Sequence, residues 1–489
     1  MRFVFLRFLG FIYFIAFLVL AQQAGGLFGE KGLLPAQNYI ETVLGNYASK
    51  SEAFISVPTI FYFHFSDSFM SFCAWTAVAL SLLVMFGYAN SIILAILWFL
   101  YLSFTHIGQI FYGYGWEILL LEIGLLAVFF VPLFDARPFP KRPPSLAMVW
   151  LLRWVSFRLM IGAGLIKIRG DACWLDLTCL YYHYETQPVP NPLTPFFHFM
   201  PLWFHRLGVF YNHVAELIAP WALFMPRTIR HLGGFVMVVF QVILIFSGNL
   251  AFLNWLSLVC FTACFDDRFY RRILPGSLVR RAEKAAANSE KSSSMRVAIA
   301  CYVIFVLYLS ISPIQNLLSK QQIMNTSFNR WHVVNTYGAF GTVGKLRDEI
   351  IIEGSMDGIT WKEYEFHVKP GDPFKRSKWI SPYHYRLDWQ IWFAAMQSPD
   401  RNPWLIHLLW KFLHNDAKGL SMIAKNPFPE EPPKWVRCQL YRYQYAPLGN
   451  SEQAIWTRKY LKPWLRPLST EDELLKNYVG SHKWEEFKP

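Results

Sequence analysis

The sequence predicts a multi-pass α-helical membrane protein of about eight or nine spans, followed by a C-terminal extracytoplasmic domain of α+β or β-sandwich-like character. Three observations carry that prediction. The 489-residue chain is 54% hydrophobic and 18% aromatic but only 16% charged, a smaller charged share than ordinary soluble domains carry. Its apolar residues fall into runs of about 20, the length that crosses a bilayer as a helix. The basic residues behind the net charge of +13 lie between those runs, where positive charge fixes orientation. That placement disfavours a nucleic-acid partner and makes membrane lipids the expected surroundings.

In order, the expected spans are 3–21, 69–88, 91–112, 114–134, 146–168, a more polar segment at 202–225, the closely joined pair 231–247 and 250–265, and 296–318. Residues 3–21 read as an uncleaved anchor, since no small-residue cleavage site follows them. With Arg2 and Arg7 cytoplasmic, three basic loops fall on that same side: Arg137, Lys141 and Arg142; Arg227 and Arg230; and the run from Arg268 to Lys284. The same count puts 22–68, 169–201 and everything after about 318 outside, in a lumen or periplasm. The expected division is therefore a transmembrane domain, 1–318, with an outside loop at 169–201 and a basic cytoplasmic loop at 266–296, then a soluble domain, 319–489. Residues 282–294, rich in Ala, Ser, Glu and Lys, read as a flexible linker.

Beyond residue 318 the pattern changes to short alternating runs. Residues 346–353 and 359–368 read as strands joined by a turn from Gly354 to Gly358, whose Asp-Gly step supplies left-handed backbone. Residues 331–337 and 435–445 read as further strands, and 382–396 and 403–413 as helices with one apolar face.

Of the seven cysteines, Cys73, Cys260, Cys264 and Cys301 lie in expected spans and Cys438 is expected to be unpaired. Cys173 and Cys179 share the outside loop, where a bridge between them closes a compact turn in a compartment that preserves disulfides. No CxxC or ligand cluster has zinc-like spacing, so no metal and no cofactor is expected.

Ionisable groups inside spans are costly and usually face a partner or a wet cavity. Glu117 and Glu122 lie in the fourth expected span, and Arg153, Arg158 and Lys167 in the fifth. The two run antiparallel. At about 1.5 Å per residue, Glu122 is about 12 Å and Arg158 about 15 Å from the outer ends of their helices. A Glu122–Arg158 pair is expected at mid-depth, and a Glu117–Lys167 or Glu117–Arg169 pair nearer the outside. A structural ladder ranks above a catalytic use. His213 and Glu216, with His205 two turns earlier, form a polar helix face that fits a base and a carboxylate, two metal ligands, or a packing contact, with packing ranked first.

The segment GAGLIKIRGDACWLDLTCLYYHYETQPVPNP resembles the signature of the lipase maturation factor family. The likeness continues through HVVNTYGAFGTVGKLRDEIIIEGSMDGITWKEYEFHVKPGDP, ISPYHYRLDWQIWFAAM, NPWLIHLLWKFL and NPFPEEPPKWVRCQLYRYQY, and earlier in GLFGEKGLLPAQNYI and GWEILLLEIG. It implies a multi-pass membrane chaperone that helps secreted lipases fold and assemble, with a client lipase as partner and the endoplasmic reticulum as location in animals; a bacterial member would sit in the inner membrane. On this reading Trp174, Tyr181, Tyr182, His183, Tyr184, Trp379, Tyr383, Arg386, Asp388 and Trp389 form a candidate client surface, or else pack the protein's own core. Asn325, in Asn-Thr-Ser, is a glycosylation acceptor if the C-terminal domain is lumenal. The competing reading is enzymatic. AGLIKIRGDACW is remotely similar to the membrane core of vitamin-K-dependent gamma-glutamyl carboxylases, which would nominate Lys167 as a base. A non-enzymatic role ranks first. A transporter ranks last, because the chain shows neither repeated halves nor paired broken helices.

Overall fold

The computed structural model describes residues 1–288 and 293–484. Helix α1 (Arg2–Phe28) packs along α2 (Asp67–Phe86). The Ser66 hydroxyl accepts the Phe69 N–H at 3.1 Å to start α2, and Gly87, at φ 108°, ends it in the left-handed region. Helix α3 (Ser91–Ile107), capped by Asn90, leads through a short turn into α4 (Gly115–Val128), and then follows α5 (Leu146–Gly170). The polar segment expected as one span is broken. Helix α6 (Leu202–His213) passes into a π-helical turn, Val214–Ile218, and then a 3-10 segment, Ala219–Phe224. Helices α7 (Arg227–Ser247) and α8 (Leu253–Phe261) form the close pair. The basic helix α9 (Gly276–Ala287) extends into the stretch expected to be a linker, of which residues 289–292 lie outside the described residues. Helix α10 (Ser293–Leu309) turns at Ser310 into α11 (Ile311–Leu318).

Among the described residues, five helices are long and apolar enough to cross a membrane: α1, α2, α5, α7 and Met295–Leu318. The other expected spans are shorter, with 17 residues in α3, 14 in α4 and 9 in α8. The helices share two ends. At one, the Met1 ammonium meets Asp267 at 2.8 Å, Arg2 donates to the Arg142 carbonyl at 2.7 Å, and Arg230 to the Cys264 carbonyl at 3.0 Å. At the other, Gln23 donates to the His384 carbonyl at 2.9 Å, Asn249 to the Lys378 carbonyl at 2.8 Å, and His407 to the Leu33 carbonyl at 2.8 Å. These contacts from the C-terminal part therefore lie at the end opposite the basic loops.

There the chain forms one four-stranded antiparallel sheet, ordered β2-β1-β3-β4, with β1 Arg347–Ser355, β2 Lys362–Glu363, β3 Trp435–Tyr445 and β4 Trp456–Ser469. Helix α12 (Arg386–Ala395) packs on β1 and α13 (Pro403–Leu413) on β3, and α14 (Glu473–Ser481) follows the sheet. The domain is thus α+β rather than a sandwich: helices cover the sheet face that a second sheet would need. Two strand expectations change. The run at 359–368 contributes only β2, because Asp357 accepts the N–H groups of Ile359 and Thr360 at 2.8 and 2.7 Å and holds them in the turn. Residues 331–337 form a loop, with a single bridge between Ser327 and Asn335.

Candidate functional site

The loop at 331–337 is not a strand because its polar groups are bound to the bundle. Glu122, on the largely buried α4, accepts the Asn335 backbone N–H at 3.0 Å, the Asn335 side-chain amide at 3.1 Å and the Tyr337 hydroxyl at 2.6 Å. Arg158 on α5 forms an ion pair with Glu122 and donates to the Asn335 carbonyl at 2.6 Å. The structure thus brings Glu122 and Arg158 together and seats the loop on both. Close approach depends on α5 as well. A Cβ on Gly162 would lie 2.4 Å from the Tyr337 carbonyl oxygen, so no larger residue fits without moving the loop.

Glu117 does not meet Lys167 or Arg169, which corrects the expected outer pair. It pairs with Arg386 of α12 at 2.7 Å and accepts the Tyr101 hydroxyl. Arg386 also donates to the Phe111 carbonyl at 2.7 Å, and its guanidinium lies 3.5 Å from the centre of the Tyr112 ring. Both charged side chains are fully buried. The expected partner was wrong because helix depth alone ignored a cation arriving from a domain more than 200 residues later. Arg169 is instead bound to the Leu317 carbonyl and to Gln322, at 3.0 and 2.8 Å.

Lys167 turns to the broken helix. Its ammonium donates to the two carboxylate oxygens of Glu216 at 2.6 and 2.7 Å and to the Asn212 side-chain oxygen at 2.9 Å. An ammonium has three N–H donors, and these contacts use all of them. The Trp174 ring lies 5.0 Å away. Glu216 sits within the π-turn, and α5 can approach that turn because residue 164 is glycine: a Cβ there would lie 2.5 Å from Leu217.

The polar helix face does not converge on one point. His205 bonds the His198 carbonyl at 3.2 Å, His213 the Trp174 carbonyl at 2.9 Å, and Glu216 holds Lys167. Among the described residues no group of three or more His, Cys, Asp or Glu is placed to hold a metal.

Cys173 and Cys179 are joined by a disulfide, with Cα atoms 4.8 Å apart. Their loop is packed: Trp174 donates to the Phe340 carbonyl at 3.0 Å, and Asp171 caps Cys173. Of the two readings of the aromatic residues, burial follows the packing one for most of them. Trp174, His183, Tyr184, Arg386, Asp388 and Trp389 are buried, while Tyr181, Tyr182 and Tyr383 are half-buried and Trp379 is exposed. Asp388 accepts the Val368 and Lys369 N–H groups at 2.6 and 3.0 Å, and burial pushes its carboxyl up to about 6. His183 packs edge-on against Phe340, and burial, with Lys167 nearby, pushes its imidazole down to about 4. Asn325 is exposed, at φ 54°, with its side-chain oxygen accepting the Gly338 N–H at 3.3 Å.

One clamp had no signal in the sequence. Arg347 opens β1, and donates to the carbonyls of Glu185, Gln187 and Pro188 at 2.8, 2.5 and 3.1 Å and to Glu349 at 2.6 Å. It ties the exit of the disulfide loop to the sheet. Asn335 and Arg386 did carry a signal, being polar residues embedded in aromatic stretches, where burial requires a partner.

A bundle of apolar helices whose buried carboxylates and lysine lock a disulfide loop and a C-terminal α+β domain onto one end defines a multi-span membrane protein with a rigid platform. Its sequence relatives give the family. Residues 1–272 match the lipase maturation factor transmembrane domain, and residues 333–466 the lipase maturation factor C-terminal domain. The chain is 43% identical to lipase maturation factor 1 of Bos taurus, covering 99% of this chain and 91% of that protein, and 42% identical to the Homo sapiens protein, covering 99% and 90%. It is 28% identical to lipase maturation factor 2 of Xenopus tropicalis, covering 98% and 84%. The chain belongs to the lipase maturation factor family. No solved structure matches it.

Proposed function

We propose that the protein is a membrane chaperone that assists the folding and assembly of secreted lipases. Its N-terminus and basic loops face the cytoplasm; the disulfide loop and C-terminal domain face the lumen of the endoplasmic reticulum, or the periplasm in a bacterium. The observation that carries this reading is near end-to-end identity of 43% with a protein named lipase maturation factor 1. The contacts of His384, Lys378 and His407 at the end opposite the basic loops support the orientation, and modification of Asn325 in a eukaryotic host would test it.

The seam supports a binding platform better than a catalytic centre. Lys167 has its three donors satisfied by Glu216 and Asn212, so a role as base would first require breaking a buried ion pair. The test is the activity of a secreted lipase in cells lacking the protein, with wild type or the double variant Lys167→Met/Glu216→Leu restored. The expected outcome is that wild type raises lipase activity and that the double variant, which removes both charges together, retains most of the effect. Unchanged lipase activity on deletion would sink the maturation role. Loss in a double variant that still folds would favour chemistry at Lys167.

A further inference from the structure

A cavity of about 370 Å³ opens at the C-terminal-domain end of the bundle, between the end of α3, the turn into α4 and the segment after α11. That volume lies within the range of small-molecule sites. The character of its wall narrows the occupant. Tyrosines, histidines, side-chain amides and hydroxyls line it, with no Lys, Arg, Asp or Glu among them and Ile118 as the one aliphatic side chain. A phosphate or carboxylate would find no cation in the wall itself, Arg330 lying near Tyr39 and His106 but outside the lining, and an acyl chain would find too little hydrocarbon. The two histidines, His106 and His332, have no carboxylate or thiol beside them with which to complete a metal site.

The wall also has unspent hydrogen-bonding capacity. Nδ1 of His332 is buried and has no partner among the described residues. Gln109 donates its amide to the Leu34 carbonyl at 2.9 Å, which leaves its own side-chain oxygen as an acceptor. Neutral donors and acceptors mixed with aromatic rings suit a ligand whose hydroxyls both give and accept hydrogen bonds and whose C–H faces lie against rings.

We propose that this cavity binds a neutral polyhydroxylated ring, a single saccharide unit, through Tyr39, Gln109 and His332, with the Tyr112 ring against a C–H face. If this end of the bundle faces the secretory compartment, as proposed above, the sugar comes either from the glycan of a client protein or from free saccharide.

Gly113 provides the test. It lines the cavity with φ −82°, which any residue adopts, and the atom nearest to an added Cβ is 3.7 Å away. Gly113→Trp therefore fills the cavity without straining the backbone. Thr105→Leu, on α3, fills it from another wall. Full-length protein lacking N-glycans, held in phosphatidylcholine nanodiscs to avoid sugar-headed detergents, is titrated calorimetrically with mannose, N-acetylglucosamine and a released high-mannose glycan. A glycosylated lipase and its deglycosylated form are titrated in parallel. The expected result is saturable binding of at least one neutral sugar, about tenfold or more weaker in both variants, with their unfolding temperatures unchanged. Preference for the glycosylated over the deglycosylated lipase identifies the client as the source; binding of monosaccharide with no such preference identifies free sugar. No saturable binding of any neutral sugar, or equal binding by wild type and both variants, overturns the proposal. Because no maturation assay is involved, that failure would leave the chaperone reading standing.

Discussion

Glu117 and Arg386 are both fully buried and neutralise each other across the seam. Removing one charge leaves the other stranded in a low-dielectric site, which typically costs about 3–5 kcal/mol. Glu117→Gln keeps the shape and the hydrogen-bonding oxygen but not the charge. It should lower the unfolding temperature and expose α12 and the segment leading into it to limited proteolysis. The double variant Glu117→Leu/Arg386→Met, which strands nothing, should recover much of that loss. If Glu117→Gln has wild-type stability and protease resistance, the pair does not hold the domain in place. The presence of Glu117 and Glu122 in a span was legible, since charges there demand partners. The identity of the Glu117 partner was not, because it depends on which distant segment reaches that depth.

At the scale of elements, α5 owes its contacts to two small residues on different faces. Gly162 receives the loop at Tyr337, and Gly164 receives the π-turn that carries Glu216. Substituting Gly162 would force a backbone carbonyl, not a flexible side-chain end, to move. Gly162→Val should therefore destabilise the protein by about 1–3 kcal/mol, as overpacking commonly does, and should weaken docking of the 331–337 loop. Faster hydrogen exchange at Asn335 and Tyr337 than in wild type is the expected sign; unchanged exchange would show that the loop tolerates the shift. The helices at 382–396 and 403–413 and the strand at 435–445 were readable from periodicity, because each buries one regular face against its own domain. The strand expected at 331–337 was not realised, since its alternating apolar residues were equally compatible with a loop whose polar groups bind Glu122 and Arg158. Likewise, 202–225 breaks around Pro220, which has no N–H to continue the α-helix, and the π-turn just before it carries Glu216 to Lys167.

Across the whole molecule, burial sets opposing responses to acid. Burial pushes His407 down to about 3 and His183 and His332 to about 4, and His384 lies well below the usual histidine range. A histidine depressed in the folded state takes up its proton more readily when unfolded, so stability falls as pH drops below about 6.5. Asp388, raised to about 6, acts in the opposite sense: its folded form binds the proton more tightly, so stability rises as pH falls from about 6 towards about 4. Four histidines outweigh one aspartate. The unfolding temperature in nanodiscs should therefore drop between pH 7 and pH 5, and Asp388→Asn, whose side-chain oxygen can still accept the Val368 and Lys369 N–H groups, should steepen the drop. A pH-independent unfolding temperature would contradict the burial of these imidazoles. By itself the sequence determined the membrane class, the apolar segments with their basic loops, the cysteine-bearing loop and the family, because each is written in local composition or in contiguous motifs. Only the tertiary structure decided that Glu117 belongs to Arg386 and Lys167 to Glu216, that Trp174, His183 and Tyr184 of the aromatic loop are buried, and that α3, the α4 turn and the segment after α11 enclose a polar cavity. Those outcomes depend on which distant segments meet at one depth, and local pattern does not encode that meeting.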